Sequence, residues 1–404
     1  MTSGGAFDAA AAPLPGPATL AGGRPIRRVL LMQLKWMGDV LMCTPAIRAV
    51  RRAFPQAKLD FVTGVEGAAV LEGNPHLDEV LRWRRGVRGS WRTAWEIARR
   101  RYDAVVDFRS TPRDAWFVLA SGARIRAGMR GRGPRTLAYT QLFEWAQGPR
   151  YMAARKLEPL RALGIEPGPP HDLALELVVS AAERAWAQDA LACHGLDAAG
   201  APAAPIVAVS PVTRIHYKQW GAEKWAAVAD ALAGAGARVL ITSGPGELEQ
   251  ARAVAQRMRH PAVFDYGRTT IRQLAALYER CALWVGNDGG AKHIAVAVGT
   301  PTLTVFRHRE SEVWTDLSSA SPHLAIEREP VLPCVYPHCG KCPHLSCLEQ
   351  LGAGDVVALA TRAYQAAVRT GPCRGPGPNH PAVAATRAGA DGPAAAASPA
   401  GEPR

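Results

Sequence analysis

The sequence predicts an α/β protein of two Rossmann-like domains facing across a cleft, and three observations lead there. Short apolar runs of strand length alternate with helical stretches, the pattern of parallel βαβ units. The alternation breaks in a Pro/Ala/Gly stretch at residues 196–205 and then starts again. A chain of 404 residues, 48% of them hydrophobic, also has enough apolar side chains for two cores.

In the first half, Arg28–Leu34 (RVLLMQL) reads as a strand that ends in the loop Lys35-Trp36-Met37-Gly38-Asp39. Thr44-Pro45 carries the N-cap and N1 signature of a helix start, and Ala46–Phe54 keeps the helical period until Pro55. Leu59–Thr63 and Tyr102–Phe108 are further strands. In the second half, Pro205–Ser210 and Ala237–Ser243 are strands on either side of the amphipathic helix Glu223–Ala235. Gly244-Pro245-Gly246-Glu247 turns into a helix over Leu248–Met258, and Ile271–Arg280 is helical. A strand entering at Leu283 breaks at Asn287-Asp288-Gly289-Gly290, where positive φ is expected, before the small-residue helix His293–Val298 and the strand Thr302–Phe306. That junction suits an anion, because the first-turn N–H groups are free and the helix dipole presents its positive end.

The termini are of another kind. Residues 1–25 and 371–404 are rich in Ala, Gly and Pro and are expected to be a disordered leader and tail. The first basic residue is Arg24, so the leader does not read as a signal peptide. The division that follows is a leader (1–25), an N-terminal Rossmann-like domain (26–195), a linker (196–205), a C-terminal Rossmann-like domain (206–352), a C-terminal helix (353–370) and a tail (371–404).

Net charge is +13, and fifteen arginines lie between Arg82 and Arg135 against Glu96, Asp103, Asp107 and Asp114. Such a surface attracts phosphate on nucleic acid, on an anionic bilayer or on a phosphorylated glycolipid, and it equally describes a solvated arginine-rich face. No apolar run approaches the roughly 20 residues of a membrane span. Four of the eight cysteines form Cys334-x4-Cys339-x2-Cys342-x4-Cys347. This spacing allows a structural zinc site, two short disulfides or free thiols. Cys43, Cys193 and Cys281 fall in apparent core segments, and buried free thiols point to a reducing cytosol.

Neither half opens with G-x-G-x-x-G, and G-x-x-x-x-G-K-[ST] is absent, which removes the main support for a dinucleotide oxidoreductase or a P-loop enzyme. Two half-sites at strand ends remain. Asp39 follows the first strand and is placed either to take a proton from an attacking hydroxyl or to cap a turn. Lys218, in the loop Thr213–Trp220, is either a solvated charge or the counter-charge of a leaving phosphate. His293 is a phosphate ligand or a packing histidine.

Read in order, these segments resemble glycosyltransferase family 9, the heptosyltransferases of lipopolysaccharide core assembly. The matching pieces are Leu34–Ala46 (LKWMGDVLMCTPA), Gly73–Val80 (GNPHLDEV), Pro211–Trp220 (PVTRIHYKQW) and Val285–Pro301 (VGNDGGAKHIAVAVGTP), and the likeness extends over about residues 26–368. Around Thr213, Lys218 and Thr242-Ser243-Gly244-Pro245 the chain looks most like the heptosyltransferase III branch. The resemblance implies a GT-B fold with an acceptor-binding N-terminal domain and a nucleotide-sugar-binding C-terminal domain. It also implies inverting transfer of heptose from ADP-heptose to an anionic lipopolysaccharide core acceptor.

By matching position, Asp39 would be the catalytic base, Lys218 and Thr213 would hold the diphosphate, and Asp288 would contact the donor sugar. The amides near Gly289 and Gly290, with His293, would complete the phosphate site, and Glu247 or Glu249 falls near the ribose-binding acid. Inversion needs one base and a stabilised leaving group, and no Asp-x-Asp metal motif is present, so no cofactor is required beyond a structural zinc at the cysteines. The implied place is cytoplasmic, peripheral to the inner membrane, with the arginine-rich domain meeting the acceptor and the membrane surface and with no nucleic acid bound. Gly289 stands where family members often carry Ser or Thr, and Ala291 where Pro is common; Lys292 is then available to replace the lost hydroxyl at phosphate. Two other readings are a family 9 transferase with another nucleotide-sugar or acceptor, and an arginine-rich nucleic-acid-binding protein.

Overall fold

The computed structural model describes residues 19–20, 24–131, 133–144, 150–167, 172–196, 204–264, 269–335 and 339–370. The leader up to residue 18, most of the expected linker and the whole tail lie outside the described residues.

Two six-stranded sheets, parallel throughout, organise the chain. The first contains β1 (Arg28–Met32), β2 (Lys58–Thr63), β3 (Glu79–Arg82), β4 (Ala104–Asp107), β5 (Ile125–Met129) and β6 (Gln141–Phe143), in the order β3-β2-β1-β4-β5-β6. The second contains β7 (Ile206–Ser210), β8 (Arg238–Ile241), β9 (Val263–Phe264), β10 (Leu283–Asn287), β11 (Thr302–Val305) and β12 (His323–Ile326), in the order β9-β8-β7-β10-β11-β12. This is the Rossmann order twice. The strand order reverses between β1 and β4 and between β7 and β10, and ligands of doubly wound sheets bind beyond the carboxyl ends at that point.

The central strands are continuous apolar runs because both of their faces are covered; β4, β7 and β10 are buried at every residue. The edge strands β3, β6, β9 and β12, and β5 beside one of them, have no such run and are formed by pairing with their neighbours. Part of the loop expected after β1 is a short helix, Met37–Leu41. Thr44 lies inside the next helix, Thr44–Ala53, and is not its cap; its hydroxyl donates to the Leu41 carbonyl (2.7 Å) and accepts from the Glu176 amide (3.0 Å).

Helices Val87–Arg100 and Pro112–Ala120 cover one face of the first sheet through Ala94, Ile97, Phe117 and Val118. The core on the other face runs on into the second domain, from Val40 and Ile47 to Tyr278, Trp284 and Ile294. A separate core around Trp225, Ile241 and Val285 receives the C-terminal helix Ala353–Thr370, which packs against Ala222–Gly234. Arg272 bonds across the domain junction to the carbonyls of Ala69 (3.3 Å), Glu72 (3.2 Å) and Val178 (2.7 Å).

Candidate active site

The chain leaves β1 through Trp36, whose φ of 66° turns it sharply into the helix Met37–Leu41. Asp39 sits in the first turn of that helix, where the dipole favours a carboxylate. No side chain caps this helix, so the capping alternative for Asp39 does not apply. Its side chain keeps 23% of its surface exposed, and Oδ1 lies 3.7 Å from Lys156 Nζ. Lys156 is buried and donates to Gln33 Oε1 (3.0 Å) and the Phe108 carbonyl (3.3 Å).

Three contacts press this exit against the second domain. A Cβ at Gly38 would fall 2.6 Å from His293 Cδ2, and one at Gly290 would fall 2.4 Å from Met37 Cε. The Arg214 guanidinium lies 4.8 Å over the Trp36 ring. The carboxyl ends of β1, β7 and β10 therefore meet, and Asp39 stands beside the turn that follows β10.

That turn belongs to a buried charge cluster. Lys218 Nζ is paired with Asp288 Oδ2 and lies 3.1 Å from Glu310 Oε2, while Arg307 is paired with Glu310 Oε1 and stacks on Tyr217 at 4.9 Å. Burial alone would depress the Lys218 ammonium, but the two carboxylates outweigh it and raise its pKa. Burial likewise pushes Asp288 up, and the neighbouring ammonium charges, Lys218 first and Lys292 second, prevail and hold it below the usual carboxylate range. Asn287 fixes the frame: its Nδ2 donates to the Pro211 carbonyl (2.6 Å) and its Oδ1 accepts from the Trp220 amide (3.1 Å). Both ends of the Thr213–Trp220 loop are thereby held against β10.

The structure brings together Asp39, Thr213, Lys218, Asp288, Gly289, Gly290 and His293. Gly289 is the N-cap of helix Gly290–Ala297, but its φ of −179° is extended, not positive. Glycine is useful there for another reason, since a Cβ would sit 3.1 Å from Thr213 Oγ1. His293 is buried and its pKa is far below the ordinary imidazole value, through burial first and the Lys292 charge second, so it is neutral at pH 7. Lys292 does not replace the missing hydroxyl. Its ammonium is fully buried, donates to the Trp314 carbonyl and to Thr315 Oγ1 (3.2 Å), and lies 5.3 Å from the Phe306 ring.

Glu247 stands after the neighbouring strand β8, where its Oε2 accepts from the Gly244 amide (2.8 Å). Glu249 faces solvent, 86% exposed and paired with Arg252, so Glu247 is the acid at the sheet edge. Ser243 Oγ and His293 Nδ1 are buried with no hydrogen-bond partner among the described residues. Buried polar atoms are nearly always paired, and these two mark places for a polar ligand or water to complete.

Cys334, Cys339, Cys342 and Cys347 line one small cavity, but no group of three or more His, Cys, Asp or Glu side chains among the described residues is arranged to hold a metal ion. Within the set Cys334 is exposed whereas Cys339 is buried. Cys193, expected in a core, is exposed. Glu310, Arg307, Asn287 and Lys156 belong to the site and were not expected from the sequence; for Glu310 the available signal was its place just beyond the end of β11.

Two Rossmann sheets meeting at their carboxyl ends, with an anion-suited turn on one and a part-exposed carboxylate on the other, define a GT-B protein. The chain belongs to glycosyltransferase family 9 (heptosyltransferase), whose sequence profile matches residues 90–340. It is 25% identical over 303 residues to lipopolysaccharide heptosyltransferase 3 of Escherichia coli, covering 71% of this chain and 85% of that protein. Among solved structures it is similar to a family 9 glycosyltransferase of Veillonella parvula, with TM-score 0.71, 21% identity, and 84% and 97% of the two chains covered. An Escherichia coli heptosyltransferase solved with ADP-2-deoxy-2-fluoro heptose aligns with TM-score 0.59 and 20% identity over 83% of this chain and 99% of that one.

Proposed function

We propose that this chain is an inverting transferase that moves heptose from ADP-heptose to a lipopolysaccharide core acceptor at the cytoplasmic face of the inner membrane. The observation that carries the reading is the contact of Gly38 with His293, which sets Asp39 beside the Lys218–Asp288 cluster. One base on one domain and one cationic, amide-lined turn on the other are what a single displacement with a diphosphate leaving group needs.

In this reading the donor diphosphate lies over the Gly289 and Gly290 amides beside Thr213, and Glu247 and Ser243 take the ribose end. Asp39 accepts the proton of the acceptor hydroxyl as its oxygen attacks the anomeric carbon. The bond from that carbon to the ADP oxygen breaks on the opposite face, which inverts the centre. The leaving pair stays on the diphosphate, where Lys218 and the helix N-terminus offset the charge. Asp288 acts by holding Lys218, and neutral His293 serves as a hydrogen-bond partner. The names of the Escherichia coli relatives support heptose as the sugar and ADP as the nucleotide.

Thermal-shift measurements with ADP-heptose, ADP, GDP and UDP test the donor. ADP and ADP-heptose should raise the melting temperature, since a ligand at about 100 times its Kd stabilises by about 2.7 kcal/mol. An equal or larger shift with UDP or GDP would overturn the assignment of ADP.

A further inference from the structure

We infer that the outer faces of helices Val87–Arg100 and Pro112–Ala120 form a docking surface for an anionic lipid bilayer, into whose interface three tryptophans insert. The inference deepens the placement of the enzyme at a membrane by naming the face that makes the contact.

The two helices cover the side of the first sheet opposite the inter-domain core, and they touch each other along their length. Their inner residues are buried as expected. Their outer residues should then be polar, and many are not. Val87, Trp91 and Trp95 recur every fourth residue along one solvent stripe, 74%, 61% and 65% exposed. Trp116 and Leu119 continue the stripe on the second helix, 44% and 54% exposed, and Trp116 meets Trp91 edge to face at 5.4 Å. Single exposed apolar residues are ordinary, whereas a contiguous patch of this kind marks an interaction site.

The charge around the patch selects the partner. Arg84, Arg85, Arg88, Arg92, Arg99 and Arg113 are all exposed. Each carboxylate between Arg82 and Ala120 is buried or already engaged: Glu96 is paired with Arg100, Asp103 accepts from the Arg27 and Arg28 amides, Asp107 is buried, and Asp114 closes the cap of its own helix with Thr111. An apolar protein partner would need most of those guanidinium groups desolvated without counter-charges. A bilayer satisfies both parts of the surface, because tryptophan rings settle at the headgroup level and arginine stems reach outward to lipid phosphates. Arg99 stacked on Trp95 at 4.9 Å combines the two in one pair. No helix among the described residues is long and apolar enough to cross a membrane.

The test is flotation of the full chain with vesicles of phosphatidylethanolamine and phosphatidylglycerol, against pure phosphatidylcholine, with brominated acyl chains as quenchers of tryptophan emission. The wild type should float only with the anionic vesicles and be quenched. A W91S/W95S/W116S variant should lose the quenching and bind about tenfold less tightly. An R88Q/R92Q variant, changed at two exposed arginines, should lose about fivefold per arginine and carries the test if the tryptophan variant misfolds. Failure of the wild type to float, full quenching in the tryptophan variant, or duplex DNA bound in place of vesicles would overturn the inference. Transfer to a delipidated core oligosaccharide separates this from the activity. If it is absent in wild type while flotation holds, the transferase reading falls and the docking face stands.

Discussion

Lys292 shows how one residue's chemistry is set by where its side chain ends, not by where its backbone lies. Next to a phosphate-suited turn it looks like a ligand, yet its ammonium is turned inward to Trp314 and Thr315, and burial, relieved in part by Asp288 and reinforced by the Lys218 charge, lowers its pKa from 10.5 to about 7. Because the folded value lies below the unfolded one, the cost of burying the charge is fully felt below about pH 7 and fades as pH rises towards the unfolded value. Lys292→Met should therefore gain most over wild type below pH 7, and the gap should close towards pH 10. Paired thermal melts across that range check it, and a gap that does not change with pH would count against the shift. Asp39, Lys218 and the Asp288–His293 turn were legible from sequence because each lies just beyond a recognisable strand. Glu310 and Lys156 were not, since their partners Lys218 and Asp39 lie far away in the chain and only the fold joins them.

At the level of elements, the helix Met37–Leu41 and the helix Gly290–Ala297 are two short pieces whose glycines let them touch. Replacing a helical glycine by alanine is ordinarily worth about 1 kcal/mol of stability. At Gly38 the new Cβ would meet the His293 ring, which is packed and cannot yield, so G38A should lose about 1–3 kcal/mol through overpacking. At Gly290 the obstacle is the tip of the Met37 side chain, which can swing aside, so G290A should be neutral or slightly stabilising. Denaturant unfolding of both variants checks the contrast, and an equal loss in the two would show that the helices do not meet as described. The same distinction explains which strands could be read in advance. The central strands need unbroken apolar runs, whereas β5 (IRAGM), one strand in from the edge, and the edge strand β12 (HLAI) are only partly buried, and their sequences look like loop until a neighbour pairs with them.

At the scale of the molecule, the two Rossmann sheets were legible as a repeated pattern, but their shared core was not, because periodicity says which face is apolar and not what covers it. That core and the Arg272 bonds fix Asp39 relative to the Lys218–Asp288 cluster, so the proposed division of labour between base and diphosphate site rests on the whole chain. The most direct measurement is single-turnover transfer from ADP-heptose to heptose-deficient core lipid by wild type and Asp39→Asn, with ADP affinity measured on the same samples. Asp39→Asn keeps the shape of the side chain and the second domain intact, so transfer should fall about 10²- to 10⁴-fold while ADP binds as in wild type. Transfer at the wild-type rate by Asp39→Asn would contradict the account at its centre.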